Sequence, residues 1–173
     1  MAGRDDATAG PRRASSGLAH GRALGGSSSI NGMVYIRGSR FDYDSWRDDH
    51  GCDGWGYDDL LPYFRRAEDQ QHGASPYHGA GGPLRVEDPR YTHPFSRLWL
   101  DAAVASGLPL NDDFNGAVQD GVGMLQLTMR DGCRWSAADA YLRPAAARPN
   151  LAVETGALAT RVVIGHGRAT GVE

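Results

Sequence analysis

The stretch from residue 21 to residue 38 constrains this chain more than any other: Gly-Arg-Ala-Leu-Gly-Gly-Ser-Ser-Ser-Ile-Asn-Gly-Met-Val-Tyr-Ile-Arg-Gly. Gly25 and Gly26 leave the main chain bare, so amide N–H groups there can approach an anion closely, and glycine adopts positive φ without strain. Ser27, Ser28 and Ser29 add hydroxyl donors, and a helix predicted to start near Ile30 directs its positive end at the same charge. A flexible Gly/Ser linker is the competing reading, but linkers stay polar on both sides. Here Ile30, Met33, Val34 and Ile36 follow at once. The run is expected to be a backbone-lined cradle for an anionic cofactor.

Beyond it the pattern alternates helices, loops and strands, as an α/β or α+β chain does. Residues 42–50 read as a short acidic-starting helix stopped by Gly51, with Trp46 as its buried anchor. Residues 57–68 repeat the pattern, with Asp58 and Asp59 at the helix N-terminus and Leu60, Phe64 and Ala67 on one face. Residues 70–83 read as loop, and Leu84 and Val86 as a strand. Pro94 sets the first turn of a helix that Gly107 ends, with Phe95, Leu98, Ala102 and Ala105 as its core stripe. Leu125, Leu127 and Met129 share one side of a strand, and Asp131-Gly132 favours a tight reversal. Ser136 with Asp139 forms a capping box opening the helix that carries Tyr141 and Leu142. From Leu151 onward Leu151 and Val153, Val162 and Ile164, and Val172 predict a small meander or ribbon.

The Gly21 to Gly38 run resembles the first signature of the glucose-methanol-choline (GMC) family of FAD-dependent alcohol oxidoreductases. The segments Phe41-Asp42-Tyr43-Asp44-Ser45-Trp46, Gly54-Trp55-Gly56-Tyr57, Tyr77-His78-Gly79, Asp113-Phe114-Asn115-Gly116, Tyr141-Leu142-Arg143-Pro144 and Arg148-Pro149-Asn150-Leu151 continue the match in order, in the manner of the choline and aliphatic alcohol dehydrogenase branch. The resemblance implies part of an FAD-binding domain with part of a substrate domain. Residues 21–41 are the FAD loop and helix, residues 42–150 cover the FAD and enter the substrate domain, and residues 151–173 form a ribbon of the FAD domain. Residues 1–20 are expected to be a mobile tail. Family members are much longer, so the expectation is an internal piece lacking the G-x-G-x-x-G dinucleotide fingerprint and the catalytic C-terminal region. No catalytic residue is assigned here.

Position by position, the resemblance places Arg22, Gly25, Gly26 and Ser27 near the FAD pyrophosphate and ribityl chain. Asn31 and Gly32 bond flavin or pyrophosphate atoms, and Met33 and Val34 run beneath the isoalloxazine edge. Ala159 stands where the family, usually with Val, presents backbone groups to adenine. Asn31 also has its own physical case, because a buried amide needs partners at both ends, which a flavin supplies; capping a local turn is the other reading. Ile30 replaces the His through which some members attach FAD covalently, so non-covalent FAD is expected. The implied reaction passes a hydride from an alcohol carbon to flavin N5. Its partners are a small-molecule alcohol, an electron acceptor that no residue here specifies, and a complementing chain carrying the absent segments. A non-catalytic FAD or nucleotide binder and an inactive truncated product are the alternatives.

A formal charge of −3 without a Lys/Arg block gives no footprint for nucleic acid or an anionic membrane. No run approaches the ~20 apolar residues of a membrane span. Cys52 and Cys133 are too few for a disulfide framework, which fits a reducing cytoplasm. The six histidines share no metal-ligand spacing, so no metal is expected, and His78 is expected at a surface or turn. Ser28 lacks a G-x-S-x-G elbow, which argues against a hydrolase nucleophile. The four tryptophans are expected to be core anchors.

Overall fold

The computed structural model describes residues 20–173. The tail expected over residues 1–20 lies outside the described residues, His20 excepted.

Ser39 opens α1 (Arg40–Asp48) through a capping box in which its hydroxyl accepts from the Asp42 N–H and the Asp42 carboxylate accepts from the Ser39 N–H. The helix therefore starts ahead of residue 42, where acidic composition alone had placed it. α2 (Tyr57–Ala67) forms as predicted, with Tyr57 buried at its first position and Pro62 tolerated inside it. Tyr43 packs on Trp46 and Phe64 with ring centroids 5.3 and 5.5 Å apart, which joins the two helices. This aromatic cluster sits at the surface. Trp46, Trp55 and Trp99 are exposed rather than core anchors, and Trp135 is half-buried with its indole N–H on the Pro83 carbonyl at 2.8 Å.

β1 (Glu68–Gln70) pairs in parallel with β2 (Leu84–Val86). The first of these has no strand pattern in its Glu-Asp-Gln sequence. Glu87, just past β2, exchanges main-chain bonds of 2.9 Å with Leu127, and residues 126–128 bond residues 33–35 on their other side through Tyr35 N–H to Gln126 O and Thr128 N–H to Met33 O, both 2.8 Å. A narrow mixed ladder thus carries residues 33–35 at its edge. β3 (Met129–Arg130) and β4 (Cys133–Arg134) form the predicted hairpin, with Asp131 and Gly132 at φ of 53° and 78°.

α3 (Pro94–Ala105) has the predicted N-terminal proline and ends before Gly107 at φ 101°. Its inward face differs from the expectation. Ser96, Leu100 and Ala103 turn toward the chain, whereas Phe95, Leu98, Ala102 and Ala105 are exposed. The apolar stripe is present but is exposed rather than part of the core, with Phe95 lining a shallow cavity beside residues 123–125. The Ser136–Asp139 box opens a π-helical turn, Ala138–Leu142, that continues into α4 (Arg143–Ala145). Pro144 has no N–H with which to close the next α-type bond. The final hairpin, β5 (Val162–Gly165) and β6 (Arg168–Val172), turns at His166 and Gly167; Leu151 and Val153 add no strand to it.

The heart of the fold is polar. Glu68 is completely buried and accepts from Arg37 Nη2 at 2.9 Å, from the Gly79 N–H at 2.9 Å and from His78 Nδ1 at 3.0 Å. His78 Nε2 meets Asp113 at 3.0 Å, and Asn115 accepts from the Arg37 N–H while donating to the Tyr35 carbonyl. Four separate segments are thereby fastened together: residues 35–37, β1, the loop around His78, and residues 113–115. His78 is buried, not at the surface, because the loop that carries it folds inward onto Glu68.

Both ring nitrogens of His78 face carboxylate oxygens, an arrangement that only the imidazolium satisfies in full. Hydrogen bonding to Glu68, reinforced by Asp113, holds its pKa above the ordinary value of 6.5 despite the opposing effect of burial. Because the folded-state value is the raised one, this stabilisation is fully present below about pH 6.5 and is lost as pH rises through the folded-state pKa. Denaturation midpoints measured across pH 5–9, a window of about two units either side of neutrality, are expected to fall on the alkaline side. His78→Gln is expected to flatten that fall, and an equally steep decline in the variant would remove His78 as its source.

Candidate functional site

The Gly21 to Gly38 run folds as a tight bend followed by an extended edge. Gly25 and Gly26 adopt φ of 89° and 58°, and Gly26–Ser29 form one 3₁₀ turn. No helix begins at Ile30. The chain instead leaves this turn and becomes extended by Val34, because residues 33–35 are drawn into the ladder with residues 126–128.

Two of the three serines spend their hydroxyl protons on the loop itself. Ser28 Oγ donates to the Gly25 carbonyl and accepts from the Ala137 N–H, and Ser29 Oγ donates to the Leu24 carbonyl. Ser27 Oγ accepts from the Gly21 N–H at 3.3 Å and donates to no group among the described residues. Of the hydroxyls expected to face a ligand, Ser27 alone keeps its proton for one. The glycines divide in the same way. A Cβ on Gly25 would sit 2.5 Å from Ser29 Oγ, so that glycine serves the bend's own packing; a Cβ on Gly26 or Gly32 would stand in open space. Both glycines leave space for an incoming group, but the Gly26 N–H is already bonded to the Ala23 carbonyl at 2.9 Å, so only Gly32 pairs that space with an amide that has no partner among the described residues.

Asn31 is exposed, where a buried amide was expected. Its Oδ1 accepts from the Met33 N–H at 3.0 Å and from Arg134 Nη1 at 2.7 Å, so the local-turn reading holds for the carbonyl end. The amino end, Nδ2, has no partner among the described residues and points a donor outward. Met33 sits at φ 63°, a strained left-handed conformation for a side chain of its size. Two bonds from Thr128, through its N–H at 2.8 Å and its hydroxyl at 3.2 Å, hold the Met33 carbonyl in place. Val34 is exposed on the outer edge of the ladder.

Residues 22–24 and residues 154–158 line one cleft of about 410 Å³. Arg22 thus faces the segment leading to the last hairpin. Ala159 lies one residue past the lining, in an irregular stretch that Gly156, at φ 72°, bends. The structure brings Gly25, Gly26, Ser27, Asn31 and Gly32 together on one bend, and Met33 and Val34 extend from it. Sequence reading missed Arg134 and Thr128, which come from more than 90 residues away and carry no local pattern that would announce them.

The family model for GMC oxidoreductase matches residues 8–173 of the 173-residue chain. The chain belongs to the GMC oxidoreductase family. Among curated relatives, it is 46% identical over 153 residues to the oxygen-dependent choline dehydrogenase of Rhizobium etli, a match that covers 88% of this chain and 28% of that protein. It is 48% identical over 153 residues to the mitochondrial choline dehydrogenase of Homo sapiens, covering 88% of this chain and 26% of that one. Of solved structures, pyridoxine 4-oxidase from Mesorbium loti superposes with a TM-score of 0.81 at 36% identity, over 88% of this chain and 30% of that one. An FAD-dependent oxidoreductase from Chaetomium thermophilum superposes with a TM-score of 0.78 at 30% identity, over 88% of this chain and 28% of the other. The chain thus spans between a quarter and a third of the length of these GMC relatives. Its mixed α and β architecture is that of the corresponding part of their fold.

Proposed function

We propose that this chain supplies the flavin-binding bend of an enzyme that oxidises an alcohol carbon with FAD. The observation that carries the reading is the pairing of the uncovered Gly32 amide, and of the open space over Gly26, with the cleft between residues 22–24 and 154–158. A dinucleotide needs this combination: main chain that it can approach closely, with a free amide donor, and a groove along which its nucleotide half can lie. Similarity to an FAD-dependent oxidoreductase and to choline dehydrogenases supports the cofactor and the alcohol substrate class.

In this reading Arg22, Gly25, Gly26 and Ser27 surround the pyrophosphate, with Ser27 Oγ as a donor. Asn31 Nδ2 and the Gly32 N–H bond the flavin side, Met33 and Val34 run along the ring edge, and main-chain groups near Ala159 reach the adenine. Ile30 offers no nucleophile for a covalent link, so the flavin is held without one. Bound FAD supplies the two-electron acceptor for the hydride that leaves the alcohol carbon. The residues named here bind and orient; proton removal from the alcohol falls to other parts of the enzyme. The exposed apolar residues Phe95, Leu98 and Trp99 on α3 and Val162, Ile164 and Val172 on the last hairpin support the view that the chain works against further polypeptide.

Asn31 separates the donor role from the turn role. Asn31→Asp keeps the Oδ1 position that holds Met33 and Arg134 but deletes the outward Nδ2 donor. It is expected to weaken FAD retention about tenfold, the loss of one buried hydrogen bond plus an unfavourable charge. Fluorescence titration of FAD against the variant checks this. Retention equal to that of the unmodified chain would take Asn31 out of the site.

A further inference from the structure

We infer that Arg134 is the positioning residue of the flavin bend and places a fixed positive charge directly behind it, an inference that rests on the flavin reading above. Arg134 ends β4, and the type of reversal at Asp131-Gly132 aims it back at the bend. Its Nη1 donates to the Ser28 carbonyl at 2.9 Å and to Asn31 Oδ1 at 2.7 Å, and its Nη2 donates to the Asn31 carbonyl at 2.7 Å. One planar fork thus satisfies a carbonyl of the 3₁₀ turn and both oxygens of Asn31. Because Oδ1 is held on the protein side, Nδ2 is left facing away from it.

The charge is as informative as the fork. Arg37, Arg40, Arg47, Arg85, Arg143 and Arg161 each contact a carboxylate, whereas Arg134 is half-buried against neutral carbonyls with no carboxylate within ion-pair reach among the described residues. It also lines a cavity of about 540 Å³ with Leu24, Ser29, Ser136 and Asp139, whose carboxylate is taken up by Arg143 and Ser136. A cation without a carboxylate partner beside a bend with a free amide at Gly32 favours an anionic ligand over a neutral one.

The test measures binding of FAD and of riboflavin, which lacks phosphate, to the full chain and to Arg134→Met and Arg134→Lys, at low and at high salt. Arg134→Met is expected to lose about tenfold or more in FAD affinity, to lose less toward riboflavin, and to show a flatter salt dependence. Arg134→Lys is expected to keep the salt dependence while binding FAD more weakly than the unmodified chain, because a point charge cannot span the three oxygens. If Arg134→Met does not fold, as read by circular dichroism, Arg134→Lys carries the test by itself. Unchanged FAD affinity in the variant that folds, or equal losses for FAD and riboflavin with unaltered salt dependence, would overturn the inference while leaving the flavin reading intact. Failure of the unmodified chain to bind FAD would overturn both.

Discussion

Glu68→Gln is expected to lower the stability of this chain by about 3–5 kcal/mol, the range for removing one partner of a buried ion pair. The carboxylate is fully buried and serves Arg37, His78 and the Gly79 N–H at once. A glutamine amide has the right shape, but it presents one acceptor oxygen and an NH₂ to a site furnished with donors. Arg37 would keep its charge, nearly out of water, with its carboxylate partner gone. Because one domain has a net stability of about 5–15 kcal/mol, urea unfolding of the variant should show a large drop in midpoint or no folded baseline. A shift below about 1 kcal/mol would mean that the four segments around Glu68 are held chiefly by something else.

Gly32→Leu is expected to have the opposite profile, with the fold nearly untouched and the flavin excluded. Nothing lies within 4 Å of a Cβ built at this position, and Gly32 is absent from the glycines that adopt positive φ. A leucine side chain there meets solvent in the free chain and collides only with a group approaching the bend. We expect unfolding midpoints within about 0.5 kcal/mol of the parent and a loss of FAD affinity of about a hundredfold, or ~2.7 kcal/mol. Parallel thermal melts and FAD titrations check both halves. Undiminished FAD binding by Gly32→Leu would place the cofactor elsewhere.

Local chemistry made much of this architecture readable. Ser136 with Asp139, Pro94 with Gly107, and Asp131-Gly132 each fix a cap or turn by contacts within a few residues, and each appears where the sequence put it. The bend at Gly25 and Gly26 was legible for the same reason, since positive φ there depends on the glycines alone. What escaped depends on distant partners. Glu68–Gln70 become a strand only because Leu84–Val86 lie beside them. His78 comes to be buried with both ring nitrogens on carboxylates only because Glu68 and Asp113 close on it from positions 10 and 35 residues away.

The face of α3 illustrates a second limit. Periodicity identified the apolar stripe of Phe95, Leu98, Ala102 and Ala105, but no pattern within one helix says whether the covering surface belongs to this chain. No helix forms at Ile30 because Ile30, Asn31 and Gly32 are weak helix formers and the ladder draws residues 33–35 into an extended edge. In the candidate site, the residues proposed to meet a ligand are visible as a motif. The residues that shape it, Arg134 and Thr128, are not, because they act across the fold.

Titration of the full chain with FAD, followed by quenching of flavin fluorescence and by the shape of the visible absorption band, tests whether the bend from Gly25 to Gly32 grips FAD. Saturable one-to-one binding is expected, with a resolved, shifted flavin band and with FAD released intact on denaturation because no covalent bond is made. Absence of saturable binding up to about 1 mM FAD, an affinity weaker than roughly −4 kcal/mol, from a chain that is folded by circular dichroism would contradict it.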